Sequence, residues 1–201
     1  MKGINIVCRS DVRVKDNSLP TVAVDAGLLY CLKNRLKIIL AIGDFDSLSP
    51  QLLAEYHGPT IKLPPAKDES DLQVALKQLA DSRQPLYVYG ALGKRADHSL
   101  VNLKLCFYSR PRIILLDDYN MIYRLNPGRH RLAAQNYDYL SFLGFETCSI
   151  SLQGVAYPLD DYLLEPADNL TLSNCFTAKI AQVTVDKRIL VFYSRDKKAL
   201  T

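Results

Sequence analysis

The chain has 201 residues, 48% hydrophobic and 23% charged, a globular balance that excludes a disordered or fibrous protein. Its 25 Lys and Arg against 21 Asp and Glu leave a net charge of +4, too slight to mark a nucleic-acid binder. No unbroken apolar run exceeds five residues, far short of the roughly 18 that a membrane span needs, and the first residues lack the apolar core of a signal peptide.

Residues 4–8 and 21–25, rich in Val and Ile, predict strands, and helical spacing follows over 28–34. A strand at 37–42 leads to a helix at 51–57, announced by Ser49-Pro50, a hydroxyl cap with proline in the first turn. A strand at 60–63 precedes a helix at 72–82, where Leu72, Ala75, Leu76 and Leu79 fall on one face. A strand at 86–90, a helix at 100–109 and a strand at 112–116 complete the alternation. Such alternation requires crossover connections, which predicts a Rossmann-like, mostly parallel α/β sheet with helices on both faces. After residue 120 the helical period disappears. Strands are predicted at 121–125, 137–143, 147–152, 175–185 and 188–193, separated by turn residues, as in an all-β antiparallel sandwich. The expected domains are therefore 1–125 and 126–201. Five widely spaced cysteines without a C-x-x-C pair predict reduced thiols in a cytoplasmic protein.

Ligands of an open parallel sheet sit beyond the carboxyl ends of its strands, and the loops there are acidic. They read Asp25-Ala26-Gly27, Gly43-Asp44-Phe45-Asp46-Ser47, Lys67-Asp68-Glu69-Ser70-Asp71 and Lys94-Arg95-Ala96-Asp97-His98. Singly, each has a structural explanation: Asp25 and Asp97 as helix caps, Asp68 with Asp71 as a capping box. The Asp44/Asp46 pair resists this, because like charges so close repel unless a cation or a shared proton intervenes. A few carboxylates with open positions for phosphate and water suit Mg²⁺. The loop Gly90-Ala91-Leu92-Gly93-Lys94-Arg95 adds glycines that admit close backbone approach to anionic oxygens, and two cations. It lacks the spacing of a Walker A loop.

These loops resemble the thiamine pyrophosphokinase family. G-D-F-D-S at 43–47 matches its most distinctive motif, and K-D-E-S-D at 67–71 resembles its K-D-x-[ST]-D element. G-A-L-G-K-R-A-D-H at 90–98, with Asn102-Leu103, resembles its G-x-x-G-G-R-x-D-H…N-L element. Asp25-Ala26-Gly27 fits a preceding D-x-G, and Ser173-Asn174 a late S-N signature. The sequence departs from the pattern in three segments. Lys94 replaces a second glycine, and Thr171-Leu172 stand where glycine usually precedes the S-N pair. The first loop, Cys8-Arg9-Ser10-Asp11, lacks the family's small residues and offers Arg9 as an additional phosphate contact.

The resemblance implies transfer of a pyrophosphoryl group from ATP to the thiamine hydroxyl, giving thiamine diphosphate and AMP. It implies Asp44, Asp46 and Asp71 as ligands of Mg²⁺ or Mn²⁺, with Asp25 beside them and Asp46 or Asp71 also accepting the alcohol proton. It implies Gly43, Lys67, Lys94, Arg95, Asp97, His98 and Asn102 at the nucleotide, and Ser173 and Asn174 at thiamine. An ATP- and Mg-binding catalytic domain would precede a thiamine-binding domain in a cytoplasmic homodimer, with thiamine at the interface and no nucleic-acid or membrane partner. Two other readings stand beside it. A D-x-D nucleotide-sugar glycosyltransferase explains Asp44 and Asp46 but not the 67–71 and 95–98 loops, and a non-catalytic nucleotide- or thiamine-sensing module needs no complete carboxylate set.

Overall fold

The computed structural model describes residues 2–46, 48–66, 68–93 and 95–196. The chain divides into two compact units that meet between Asp117 and Asp118.

In the first unit the strands are β1 (Ile4–Val7), β2 (Thr21–Val24), β3 (Ile38–Gly43), β4 (Thr60–Lys62), β5 (Leu86–Tyr89) and β6 (Ile113–Leu116). Between them run helices α1 (Gly27–Lys33), α2 (Pro50–Glu55), α3 (Asp71–Gln78) and α4 (Ala96–Tyr108). All pairings are parallel, in the order β4-β3-β2-β1-β5-β6. Consecutive strand residues point to opposite faces, so the burial of all four residues in β2 and in β6 means that the sheet is covered on both sides. Ile6, Val7, Val22, Ala23, Ile42, Leu86 and Val88 are sealed from solvent in this core. Ser49 caps α2 as its sequence predicts, its Oγ accepting from the Leu52 N–H.

The helix starts correct three expectations. The cap of α3 is Ser70, whose Oγ accepts from the Gln73 N–H at 3.2 Å, rather than an Asp68–Asp71 box. Among the described residues no side chain caps α1, which starts after Ala26 rather than on an Asp25 cap. Helix α4 begins at Ala96, ahead of the apolar periodicity, so Asp97 lies inside its first turn rather than capping it.

The second unit is a sandwich of β7 (Asn120–Leu125), β8 (Gly128–Ala133), β9 (Tyr139–Leu143), β10 (Cys148–Gln153), β11 (Leu159–Leu164), β12 (Ile180–Val185) and β13 (Ile189–Ser194). Antiparallel pairing gives one sheet β7-β13-β9 and another β11-β10-β12-β8. Strand β12 shows the plan, with Ala181, Val183 and Val185 buried and the residues between them exposed. They meet Leu140, Phe142, Ile150, Leu152, Val191 and Tyr193 in one apolar core. Two strands had no sequence signal: β8, Gly-Arg-His-Arg-Leu-Ala, and β11, Leu-Asp-Asp-Tyr-Leu-Leu. Both are edge strands, where charged side chains discourage pairing with other chains. The strand expected over 175–185 is confined to β12, because Phe176 leaves the ladder for an isolated bridge with Val155. None of the five cysteines forms a disulfide.

Candidate active site

With β1 in the middle of its sheet, the chain winds outward through β2, β3 and β4, then returns to the other side of β1 with β5 and β6. The reversal opens a crevice beyond the carboxyl ends of β1 and β5, the usual ligand position in such sheets. A cavity of about 280 Å³ lies there, walled by Cys8 and Arg9 after β1, Asp25 after β2, Asp71 from α3 and the glycine loop after β5.

The backbone delivers the carboxylates by conformations most residues avoid. Asp25 (φ 48°) and Phe45 (φ 60°) occupy the left-handed region, at a cost of roughly 1 kcal/mol or more each. Phe45 is only 3% exposed, so its core-bound ring pins the turn that carries Asp44 and Asp46. Within that turn the Asp46 N–H donates to Asp44 Oδ1 at 3.2 Å. The Asp25 N–H donates to the Ile42 carbonyl at 2.8 Å, and the Cα of Gly43, which ends β3, lies close against Asp25. Next along the chain, Gly27 opens α1 against the end of β1. A Cβ there would lie 1.8 Å from the Val7 carbonyl oxygen, so no side chain fits.

The result is a cluster in which carboxylate oxygens of Asp25, Asp44 and Asp46 lie within 4.8 Å of one another. The trans diameter of an octahedral Mg²⁺ site is roughly 4.2 Å, so small side-chain rotations would let the three share one ion. Asp25 and Asp44 are half-buried and Asp46 is exposed, leaving one side open to water and phosphate. Burial, and then the charges of Asp44, Asp71 and Asp46, raise the Asp25 carboxyl above its ordinary range, against a lowering hydrogen bond from the Ala26 N–H. A hard cation offsets this penalty, and the all-carboxylate donor set suits one. Burial, with Asp71, Cys31 and Asp25 adding to it, pushes the Cys8 thiol up to about 12, so it faces the cavity as a neutral group.

Of the carboxylates singled out by sequence, three therefore converge, while Asp71 lines the cavity from the first residue of α3 without joining that cluster among the described residues. Asn102 and His98 face the cavity from α4. The Asn102 amide is used in building the site, its Nδ2 donating to the Ala91 carbonyl of the glycine loop at 2.7 Å. Arg95 also lines the cavity and pairs with Asp97, Nη2 to Oδ2 at 2.5 Å, both side chains being about two-thirds exposed (67% and 63%). The Arg95 hydrogen bonds hold the Asp97 carboxyl down at about 2, and the Asp97 partner raises the Arg95 guanidinium. Lys67 and Lys94 lie outside the described residues.

Ser99 was not foreseen. Its Oγ accepts from the Gly93 N–H at 3.2 Å and donates to the Arg95 carbonyl at 3.1 Å, closing the glycine loop onto α4. A serine in the first turns of a helix carries no distinguishing sequence signal, whereas Phe45, an apolar residue inside an acidic loop, does.

In the second unit, Ser173 is exposed and held at φ 55°, its N–H donating to Ser141 Oγ at 2.9 Å. Asn174 is 1% exposed. Its Oδ1 accepts from the Tyr157 and Cys175 N–H groups, each at 3.0 Å, and its Nδ2 donates to the Tyr157 carbonyl at 2.8 Å. Those bonds stitch the Ser173 turn to the neighbouring segment.

Comparison with known proteins identifies the family of the chain. The family description "Thiamin pyrophosphokinase, catalytic domain" matches residues 13–115, and "Thiamin pyrophosphokinase, vitamin B1 binding domain" matches residues 129–190. The chain is 31% identical over 192 residues to the thiamine pyrophosphokinase of Bacillus subtilis (strain 168), covering 87% of this chain and 89% of that protein. The crystal structure of the Bacillus subtilis enzyme superposes with a TM-score of 0.87 at 26% identity, covering 98% of this chain and 100% of that one. A thiamin pyrophosphokinase family protein from Enterococcus faecalis gives 0.83 at 28% identity, with 98% and 100% covered. The chain thus belongs to the thiamine pyrophosphokinase family.

Proposed function

We infer that the chain transfers the pyrophosphoryl group of ATP to the hydroxyl of thiamine, releasing AMP. The observation that carries this reading is the convergence of Asp25, Asp44 and Asp46 at the sheet's reversal point, beside the 280 Å³ cavity, in a chain of this family. The three carboxylates are the proposed ligands of a divalent cation, Mg²⁺ or Mn²⁺. Bound there, the ion would neutralise phosphate charge.

The chain's own residues would supply the rest. The glycine loop, fixed by Asn102 and Ser99, presents Arg95 to the phosphates, with Lys67 and Lys94 as further candidates for that charge. Asp97 orients the Arg95 fork, and His98 stands at the cavity wall. As the thiamine oxygen attacks the β-phosphorus, its proton passes to a carboxylate and the bond to the departing AMP oxygen breaks. Asp71, which lines the cavity from the first residue of α3, is the proposed acceptor of that proton, with Asp46 as the other candidate. Catalysis on this scheme is positioning and charge stabilisation.

We assign ATP and the cation to the α/β unit, and thiamine contacts to the sandwich through Ser173, with Asn174 setting its turn. A cytoplasmic homodimer with thiamine at the interface completes the reading. No helix among the described residues is long and apolar enough to cross a membrane. The test is a product assay on the full chain with ATP, MgCl₂ and thiamine. Equal amounts of AMP and thiamine diphosphate should form, and EDTA should abolish both. ADP as the product, or AMP without thiamine diphosphate, would overturn the assignment.

A further inference from the structure

The glycine loop was expected to need its glycines so that phosphate could approach the backbone. The structure gives those positions another neighbour. Arg9 lies across the loop: a Cβ on Gly90 would stand 3.0 Å from Arg9 Cβ, and one on Gly93 would stand 2.5 Å from Arg9 Nη1. Both glycines have φ values closed to most side chains, 82° and 134°. Arg9 Nη1 also donates to the Leu92 carbonyl at 3.1 Å, joining residues 83 apart in sequence. The loop is thus shaped around an arginine side chain.

Among the described residues the guanidinium is not fully engaged there. Its Nε and Nη2 grip the Asp11 carboxylate at 2.8 and 2.5 Å. With the bond to Leu92, that occupies three of its five N–H groups, and the side chain is 30% exposed on the cavity wall. A guanidinium fork matches a phosphate as well as it matches a carboxylate. Asp11, two residues along, occupies the edge that would otherwise be offered to an anion.

Building on the pyrophosphokinase reading, we propose that Arg9 binds the polyphosphate of the nucleoside triphosphate, and that Asp11 is an intramolecular competitor holding its guanidinium until the phosphates arrive. Arg9 then has two attachments of different kinds. Nη1 remains on Leu92 and keeps the loop closed, while the Nε–Nη2 edge passes from carboxylate to phosphate. The side chain is already ordered before the ligand enters, which lowers the entropy lost on binding.

Asp11 makes this testable, because a structural ion pair and a competitor predict opposite signs. ATP affinity in the presence of Mg²⁺ is measured by titration calorimetry for the wild-type chain and for Arg9→Ala, Arg9→Lys and Asp11→Asn, with inorganic tripolyphosphate and adenosine as separate ligands. Arg9→Ala should weaken ATP and tripolyphosphate by about ten- to a hundredfold, the range for hydrogen bonds to charged groups. It should leave adenosine unchanged. Arg9→Lys should recover part of the loss, since a point charge replaces the fork. Asp11→Asn should tighten both phosphate ligands severalfold. If Asp11→Asn weakens them as Arg9→Ala does, the pair is structural and the proposal fails. It fails equally if Arg9→Ala binds ATP like the wild type, or if the loss appears with adenosine too. Thiamine-dependent release of AMP by the wild-type chain tests the pyrophosphokinase reading separately, so failure of one is not failure of the other.

Discussion

Asp46→Asn removes one of three clustered negative charges while keeping the side chain's shape, and its two consequences run in opposite directions. Without metal, the carboxylates of Asp25, Asp44 and Asp46 repel at separations of up to 4.8 Å. Asp46 is exposed, so a water-like dielectric applies, giving about 0.9 kcal/mol per pair and about 1 kcal/mol for its two pairs after screening at physiological salt. For a chain of this size that is about 2 to 4 °C in melting temperature. In EDTA, Asp46→Asn should therefore melt above the wild type by about that amount. With Mg²⁺ present at about ten times its dissociation constant, the wild type should gain about 1.4 kcal/mol. The variant, one ligand short, should gain almost nothing, so the order of melting disappears or reverses, and thiamine diphosphate formation should be lost. Thermal unfolding of both proteins, with EDTA and across a MgCl₂ series, reads this directly. If the variant melts below the wild type in EDTA, the carboxylates do not repel as argued. If it keeps the full Mg²⁺ gain, Asp46 is not part of the metal site.

Gly27→Ala places a methyl 1.8 Å from the Val7 carbonyl oxygen, a backbone atom that can move only with β1. A loss of about 3 kcal/mol or more is expected in chemical denaturation, with Mg²⁺ binding weakened because Asp25 moves with the start of α1. Asn174→Ala should cost about 2 to 4 kcal/mol in the same assay, since it leaves backbone groups of Tyr157 and Cys175 without the partners described above. A melting temperature equal to the wild type would show that those bonds contribute nothing. Arg95→Ala should weaken ATP about tenfold and thiamine hardly at all, because the side chain is exposed on the cavity wall, in reach of the proposed phosphate position. Equal losses for both ligands by calorimetry would remove its phosphate role.

The interior of the fold was legible because burial writes itself into composition. Strands covered on both faces, such as β2 and β6, must be apolar throughout, and β12 shows its one buried face as alternation. Strands β8 and β11 were not legible for the complementary reason. At a sheet edge only Leu132 in β8, and only Leu164 in β11, had to be buried, and charges were free to fill the rest. At the site, the acidic motifs and their clustering at strand ends could be read from residue type. Which carboxylates meet could not, because that depends on the left-handed turns at Asp25 and Phe45 and on the parallel register of β2 with β3. Arg9 and Asn102 were singled out by sequence as nucleotide contacts and Ser99 was not, but their bonds to the glycine loop join separated residues through ordinary backbone groups, and no local pattern records those supports.

The seating of Phe45 bears on how much of the proposed cation site is built before any ligand enters. A loop held together only by its ion would splay when the ion left and would have to be rebuilt around the next one. Here the spacing of Asp44 and Asp46 is set by a ring locked among core side chains and by a bond inside the turn. The turn is therefore held by the chain's own bonds and does not depend on an ion. For the cation proposed above, binding would then require no rebuilding of the loop.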